Sequence, residues 1–170
     1  KNIKTKKNKI YKYDFLFHAN MIQPKGYSYF IKLAKANTNL NFFMPDYDLI
    51  NDFHYKNIIF DRMRWNDGLQ EKIYETKIIL CPSVWSANFE GSVLKTMLMG
   101  KCCAIMKNKM SFSIIKLSSN LNDDSKLLNE KLNNIQEIEK IGKNARIWAL
   151  NYIKDNPKKE IKFLDSFLKN

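Results

Sequence analysis

Hydrophobic and polar positions along the chain change period several times, and each change marks an element. Tyr13-Asp14-Phe15-Leu16-Phe17-His18-Ala19 is an apolar run of strand length, and Asn20 to Gly26 reads as a loop. Pro24-Lys25-Gly26 leads into Tyr27 to Ala36, where the apolar spacing fits an amphipathic helix. Leu40 to Met44 is a second strand ending at Pro45-Asp46, and Asn57 to Phe60 is a third, followed by a loop from Asp61 to Trp65. Asn66 or Asp67 is placed to cap a helix through Leu69, Ile73 and Tyr74, which feeds the most apolar strand, Ile78 to Cys81. A run so uniformly apolar suits a strand covered on both faces. Pro82-Ser83 ends it; a longer loop follows; Ser92 to Met99 reads as a helix stopped by Gly100, and Cys102 to Met106 as the next strand. From Asn122 onward only helical periods remain, with Asn134 to Ile153 one long amphipathic segment and Lys158 to Leu168 another after Pro157.

Strand and helix alternate and helices close the chain, which predicts a Rossmann-like α/β fold: a parallel sheet with helices on both faces and C-terminal helices. Ligands of such sheets gather outside the carboxyl ends of the strands. The loops after His18, Met44, Phe60, Cys81 and Ile105 are therefore where chemistry is expected. No G-x-G-x-x-G follows the first strand and no Walker lysine is present, so neither the usual dinucleotide fold nor a P-loop NTPase is supported.

Composition narrows the class. The 170 residues are 45% hydrophobic with only 5 Gly and 4 Pro, enough for one compact domain and incompatible with a disordered or fibrous chain. No stretch approaches the roughly 18 uncharged apolar residues of a membrane-spanning helix, and the Lys-rich start lacks the apolar centre of a secretory signal. The expected location is cytoplasmic, including the inner face of a membrane as a peripheral protein. The chain starts at Lys1 and its first methionine is Met21, inside an organised segment, so it reads as part of a longer protein cut near a domain boundary: residues 1–12 a basic leader or interdomain linker, 13–170 a single domain.

Cys81, Cys102 and Cys103 lie in or beside apolar runs without metal spacing, and read as buried free thiols. With 29 Lys+Arg against 17 Asp+Glu the net charge is +12. Much of it falls in the first twelve residues and on helical faces at Lys126, Lys131, Lys140, Lys143, Lys154, Lys158 and Lys159, as solvated charge does. No zinc-finger, helix-turn-helix or RRM signature accompanies it, which disfavours nucleic acid relative to a phosphorylated ligand or an anionic membrane surface.

Two of the ligand-facing loops carry a pattern. Lys25-Gly26 after the first strand, with Pro82-Ser83-Val84-Trp85-Ser86-Ala87-Asn88-Phe89-Glu90-Gly91-Ser92-Val93-Leu94-Lys95-Thr96-Met97 after the fourth, resembles the carboxy-terminal, nucleotide-sugar-binding domain of GT-B glycosyltransferases. The similarity is to the retaining bacterial family 4, glycosyl transferases group 1, which builds capsule, lipopolysaccharide and related glycans, and it runs from Tyr13 through the final helices. The resemblance implies a nucleotide-sugar donor, no metal cofactor, and a glycan or lipid-linked acceptor held by an amino-terminal domain outside this chain; the isolated domain would bind nucleotide without turnover. It implies that Lys25 and Gly26 hold the diphosphate, that the amides of Gly91, Ser92 and Val93 meet its phosphates, and that the loop of Arg62, Met63 and Arg64 contacts the base. A fixed cation beside a helix N-terminus neutralises a leaving diphosphate without a metal.

The departures are specific. The family arginine six residues before the lysine is here Ala19, and its two glutamates fall at Ala87 and Lys95. Glu90 is the expected substitute beside the sugar, and Lys95 an added cation near the phosphates that takes over part of the missing arginine's role. Plainer roles exist for each: Glu90 as a helix cap, Lys95 on a solvated face, His18 as a hydrogen-bonded structural residue, Asp123-Asp124 as a helix start. Trp85 and Phe89 either wall the sugar site or pack the loop, while Trp65 and Trp148 read as packing residues. Two other functions remain open on the sequence: a non-catalytic GT-B-like or Rossmann-like module for an anionic ligand, and a basic module for nucleic acid or a membrane surface.

Overall fold

A computed structural model describes residues 10–19, 23–45, 55–84, 90–107 and 114–155. Within them the chain forms β1 (Tyr13–Phe17), a 3-10 turn (Gln23–Lys25), α1 (Tyr27–Ala36), β2 (Phe42–Pro45), β3 (Ile58–Asp61), α2 (Leu69–Tyr74) and β4 (Thr76–Cys81). It continues through α3 (Gly91–Leu98), β5 (Cys102–Met106), β6 (Ile115–Leu117), α4 (Leu121–Leu132) and α5 (Ile135–Asp155). The strands make one sheet in the order β3-β2-β1-β4-β5-β6, and every neighbouring pair is parallel. Strand order reverses between β1 and β4, so the crevice outside their carboxyl ends is the place where such a sheet takes a ligand.

Side chains alternate across the strands and build a core on each face. Phe15, Phe17, Phe42, Met44, Ile78 and Leu80 pack with Phe30 and Leu33 of α1 and Leu128 of α4. Leu16, Phe43, Ile79, Cys81 and Cys103 pack on the opposite face with Leu69 and Ile73 of α2 and Val93, Leu94 and Met97 of α3. Helix α5 joins both layers, with Ile138 in the first and Ala145 and Ala149 in the second. It can lie this close because residue 142 is glycine: a Cβ there would stand 2.3 Å from the carbonyl oxygen of Gly100, in the turn after α3.

The expected fold class holds, with three differences in detail. The sixth strand, Ile115–Leu117, has no counterpart in the sequence reading because three residues at a sheet edge are too few to show a period. Neither Asn66 nor Asp67 caps α2; the N-cap is Gly68 in a left-handed conformation (φ +84°), because Arg64 bridges back to Asp67 and Gly68 and closes a turn before the helix. The pair Asp123-Asp124 does open α4, but the cap is Asn120, which accepts from the amides of Asn122 and Asp123. Asp124 is buried and accepts instead from Tyr29 Oη at 2.6 Å, from the amides of Ser118 and Ser119 and from Ser118 Oγ, tying α1 to the turn before α4. The basic leader through residue 9, His54, Trp85, Ala87, Phe89 and the Lys158 to Leu168 segment lie outside the described residues.

Candidate functional site

The site forms where the loops after β1, β3 and β4 meet the start of α3. The first and third are locked together by backbone. Val84 N donates to Pro24 O at 3.0 Å and Ser83 Oγ donates to the same oxygen at 3.1 Å. Gly26 sits at φ +83°, and a Cβ on it would stand 2.1 Å from the carbonyl oxygen of Pro82, so only glycine allows the two loops to touch. The Lys25-Gly26 pair is therefore built into the crevice by local geometry rather than hung on a mobile loop.

That placement brings the sequence-predicted residues of the two loops together. Lys25 Nζ donates to Glu90 Oε1 at 2.9 Å, with both side chains mostly buried. Glu90 occupies the N-cap position of α3 but its side chain makes no capping hydrogen bond, so the carboxylate turns to the ammonium of Lys25 instead of to the first-turn amides. The amides of Gly91, Ser92 and Val93 thus open the helix beside a cation and without a side-chain cap. A helix start of this kind favours an anion.

A second cluster lies one turn further along α3. His18, the residue after β1, is 5% exposed and its Nδ1 is 3.0 Å from Thr96 Oγ1, while the Thr96 hydroxyl donates to Ser92 O at 2.8 Å. Thr96 has one hydroxyl proton and gives it to Ser92, so the hydrogen-bond network assigns the ring proton to Nδ1, and Nε2 is left as an acceptor. Burial, with the Lys95 charge second, holds the His18 pKa down at about 3, so the ring is neutral. Trp65, from the loop after β3, stacks on His18 with centroids 5.7 Å apart and planes 8° from parallel. Lys95 Nζ lies 4.5 Å from the centroid of the Trp65 ring, and burial lowers its pKa as well.

Sequence reasoning placed Lys25, Gly26, Glu90, Gly91, Ser92, Val93 and Lys95 here, and the structure sets them around the start of α3. Trp65 packs on the second core, as the sequence reading expected, but its stacking on His18 was not foreseen, nor was the part of Thr96. The signal available for Trp65 was its place in the loop after the third strand. Met63 packs beneath that loop against the second core, 3.4 Å from where a Cβ of Gly68 would stand, and Arg64 beside it is exposed. Ala19 is buried against the first core. Among the described residues no cluster of three His, Cys, Asp or Glu is arranged to hold a metal, and Cys81, Cys102 and Cys103 are buried free thiols.

Neither the models of known protein families nor the curated proteins include a match to this chain. Solved structures do match. TarM superposes with a TM-score of 0.69 at 13% identity over 94% of this chain and 35% of its own. HepE of Anabaena, in complex with UDP-glucose, gives 0.69 at 13% identity over 91% of this chain and 49% of its own. AviGT4, a glycosyltransferase involved in avilamycin A biosynthesis, gives 0.58 at 11% identity over 86% and 51%. The chain spans between about a third and a half of the length of these proteins. The likeness is one of fold: a Rossmann-like parallel sheet with helices on both faces, of the kind found in GT-B glycosyltransferases.

Proposed function

We propose that this chain is the donor-binding domain of a glycosyltransferase that uses a nucleotide-sugar. The observation that carries the reading is the meeting of Lys25 and Glu90 at the N-terminus of α3, in the crevice where the strand order reverses. The complex of HepE with UDP-glucose, a protein of the same fold, supports a nucleotide-sugar as the ligand class.

In this reading the diphosphate lies against the amides of Gly91, Ser92 and Val93, with Lys25 moving from Glu90 to a phosphate oxygen. As the bond between the sugar's anomeric carbon and the diphosphate oxygen breaks, negative charge grows on the leaving group, and a preset cation with a helix terminus lowers the barrier without reorganising. Glu90, released from Lys25, is then beside the sugar, where a carboxylate accepts hydroxyl hydrogen bonds or supports positive charge at the anomeric centre. Lys95, a turn along the same helix, adds to the cationic field, and the loop of Met63 and Arg64 flanks the base. No metal is needed for these steps. Membership of the retaining family 4, transfer to a capsule or lipopolysaccharide acceptor held by a separate amino-terminal domain, and residence in the cytoplasm at the inner membrane face complete the proposal and follow from the sequence resemblance. With the acceptor half elsewhere, this chain binds the donor and does not turn it over.

Thermal-shift measurements with UDP, GDP, CDP and their sugars test the reading. A ligand that binds only the folded state stabilises it by RT ln(1 + [L]/Kd), about 2.7 kcal/mol at a hundredfold excess over Kd, and so raises the unfolding temperature. Stabilisation by at least one nucleotide diphosphate is expected. No shift with any of them, together with salt-sensitive binding to DNA or anionic vesicles, would replace it with a basic surface-binding module.

A further inference from the structure

We propose that His18 Nε2 is a specificity-determining acceptor that receives a hydroxyl of the bound nucleotide-sugar. The inference rests on the donor-binding reading above and goes beyond it, since it assigns a contact that no matching family motif supplies.

Three observations converge on this nitrogen. The ring's Nδ1–H is committed to Thr96, whose own proton goes to Ser92 O, so the tautomer is fixed and Nε2 carries an in-plane lone pair. Nε2 has no hydrogen-bond partner among the described residues, where the one buried side-chain N or O atom left unpaired is Glu75 Oε2, so Nε2 is the edge of an otherwise buried ring that keeps access to the crevice. The stacked indole of Trp65 covers a face of the ring, not its edge, so the lone pair is not blocked. His18 is also the residue that leaves β1 at the reversal of strand order, and it joins that strand to α3 through Thr96.

The chemistry selects the partner. A neutral imidazole nitrogen without a proton only accepts, and so do diphosphate oxygens at neutral pH, so the two do not bond. The group that fits carries an O–H, and a nucleotide-sugar offers hydroxyls on its ribose and on its sugar. Burial first, and the charge of Lys95 second, keep the ring from becoming an imidazolium that would lose the acceptor.

Titration of the 170-residue chain with UDP, 2′,3′-dideoxy-UDP and UDP-glucose, paired with ¹⁵N NMR of His18, tests the assignment. His18→Asn keeps an amide donor for Thr96 at the position of Nδ1 and, being shorter, leaves no acceptor at the position of Nε2. If the hydroxyl is the ribose's, native protein loses about tenfold in affinity on going from UDP to the dideoxy nucleotide, and His18→Asn binds both equally at the weaker value. If it is the sugar's, His18→Asn leaves UDP unchanged and weakens UDP-glucose about tenfold. In either case the Nε2 resonance of native protein moves toward the protonated range on saturation, a readout that a purely structural histidine would not give and that needs no variant. Native protein that binds UDP-glucose with no movement of Nε2, or His18→Asn that matches it for both nucleotides, overturns the assignment while leaving the donor-binding reading intact. Native protein that binds none of UDP, GDP, CDP and their sugars overturns both.

Discussion

His18 is buried, neutral and bonded through Nδ1, and its titration is tied to folding. Its folded-state pKa of about 3 lies below the ordinary 6.5, so between those values the unfolded chain binds more protons. Stability is therefore complete above about pH 6.5 and falls as pH drops toward 3, by up to about 1.4 kcal/mol per unit from this group. Urea unfolding of the native chain against His18→Asn at several pH values checks this; the native slope is steeper between about pH 4 and 6, and equal slopes would count against a buried neutral ring. Thr96→Val keeps the volume but strands the His18 Nδ1–H and is expected to cost about 1–3 kcal/mol, with Thr96→Ser near neutral. Gly26→Ala forces a β-carbon against Pro82 O at a positive φ and is expected to cost at least about 2 kcal/mol, while Gly68→Ala, whose nearest neighbour is the Met63 sulfur at 3.4 Å, costs only the backbone strain of about 1–2 kcal/mol. At this scale Lys25 and Glu90 were legible because their place after a strand and before a helix fixes what they face. The Trp65–His18–Thr96 contact was not, since three residues far apart in sequence meet only after the sheet is ordered.

At the scale of elements, the proposed donor site is centred on α3. Its first turn carries Glu90 and the three amides, its second Lys95 and Thr96, and residues from two loops meet it from the side of β1. In the proposed reading, a diphosphate arriving at the Lys25–Glu90 pair competes with a carboxylate for the same ammonium. Glu90→Gln is therefore expected to tighten UDP binding a few-fold while narrowing the affinity difference between UDP-glucose and UDP, as read by calorimetry. Unchanged UDP affinity would mean that Lys25 does not exchange partners. The periodicity of the long apolar strands and of α5 was readable because burial on both faces or on one stripe repeats over many residues. The edge strand β6 and the true start of α2 were not, because three residues carry no period and a backbone turn closed by Arg64 leaves no capping side chain in the sequence.

For the whole molecule, the strand order β3-β2-β1-β4-β5-β6 explains why residues from separate parts of the chain share one crevice. The +12 charge takes a plain form in the structure where it is described: Lys126, Lys140, Lys143 and Lys154 are exposed on α4 and α5, away from the cations of the site. Two lysines, Lys25 at the start of α3 and Lys95 a turn further along it, are placed by the fold beside the crevice, and the proposed donor site rests on their position rather than on the total charge. The most direct test is a calorimetric titration of UDP, GDP and CDP into the native chain, and of whichever binds most tightly into Lys25→Ala at matched ionic strength. Saturable one-to-one binding to the native chain, weakened at least about tenfold in the variant, is the expected result, as for loss of a charge-assisted contact. Equal affinity in the two proteins, or no binding to the native chain, would contradict a diphosphate site at Lys25 and the start of α3.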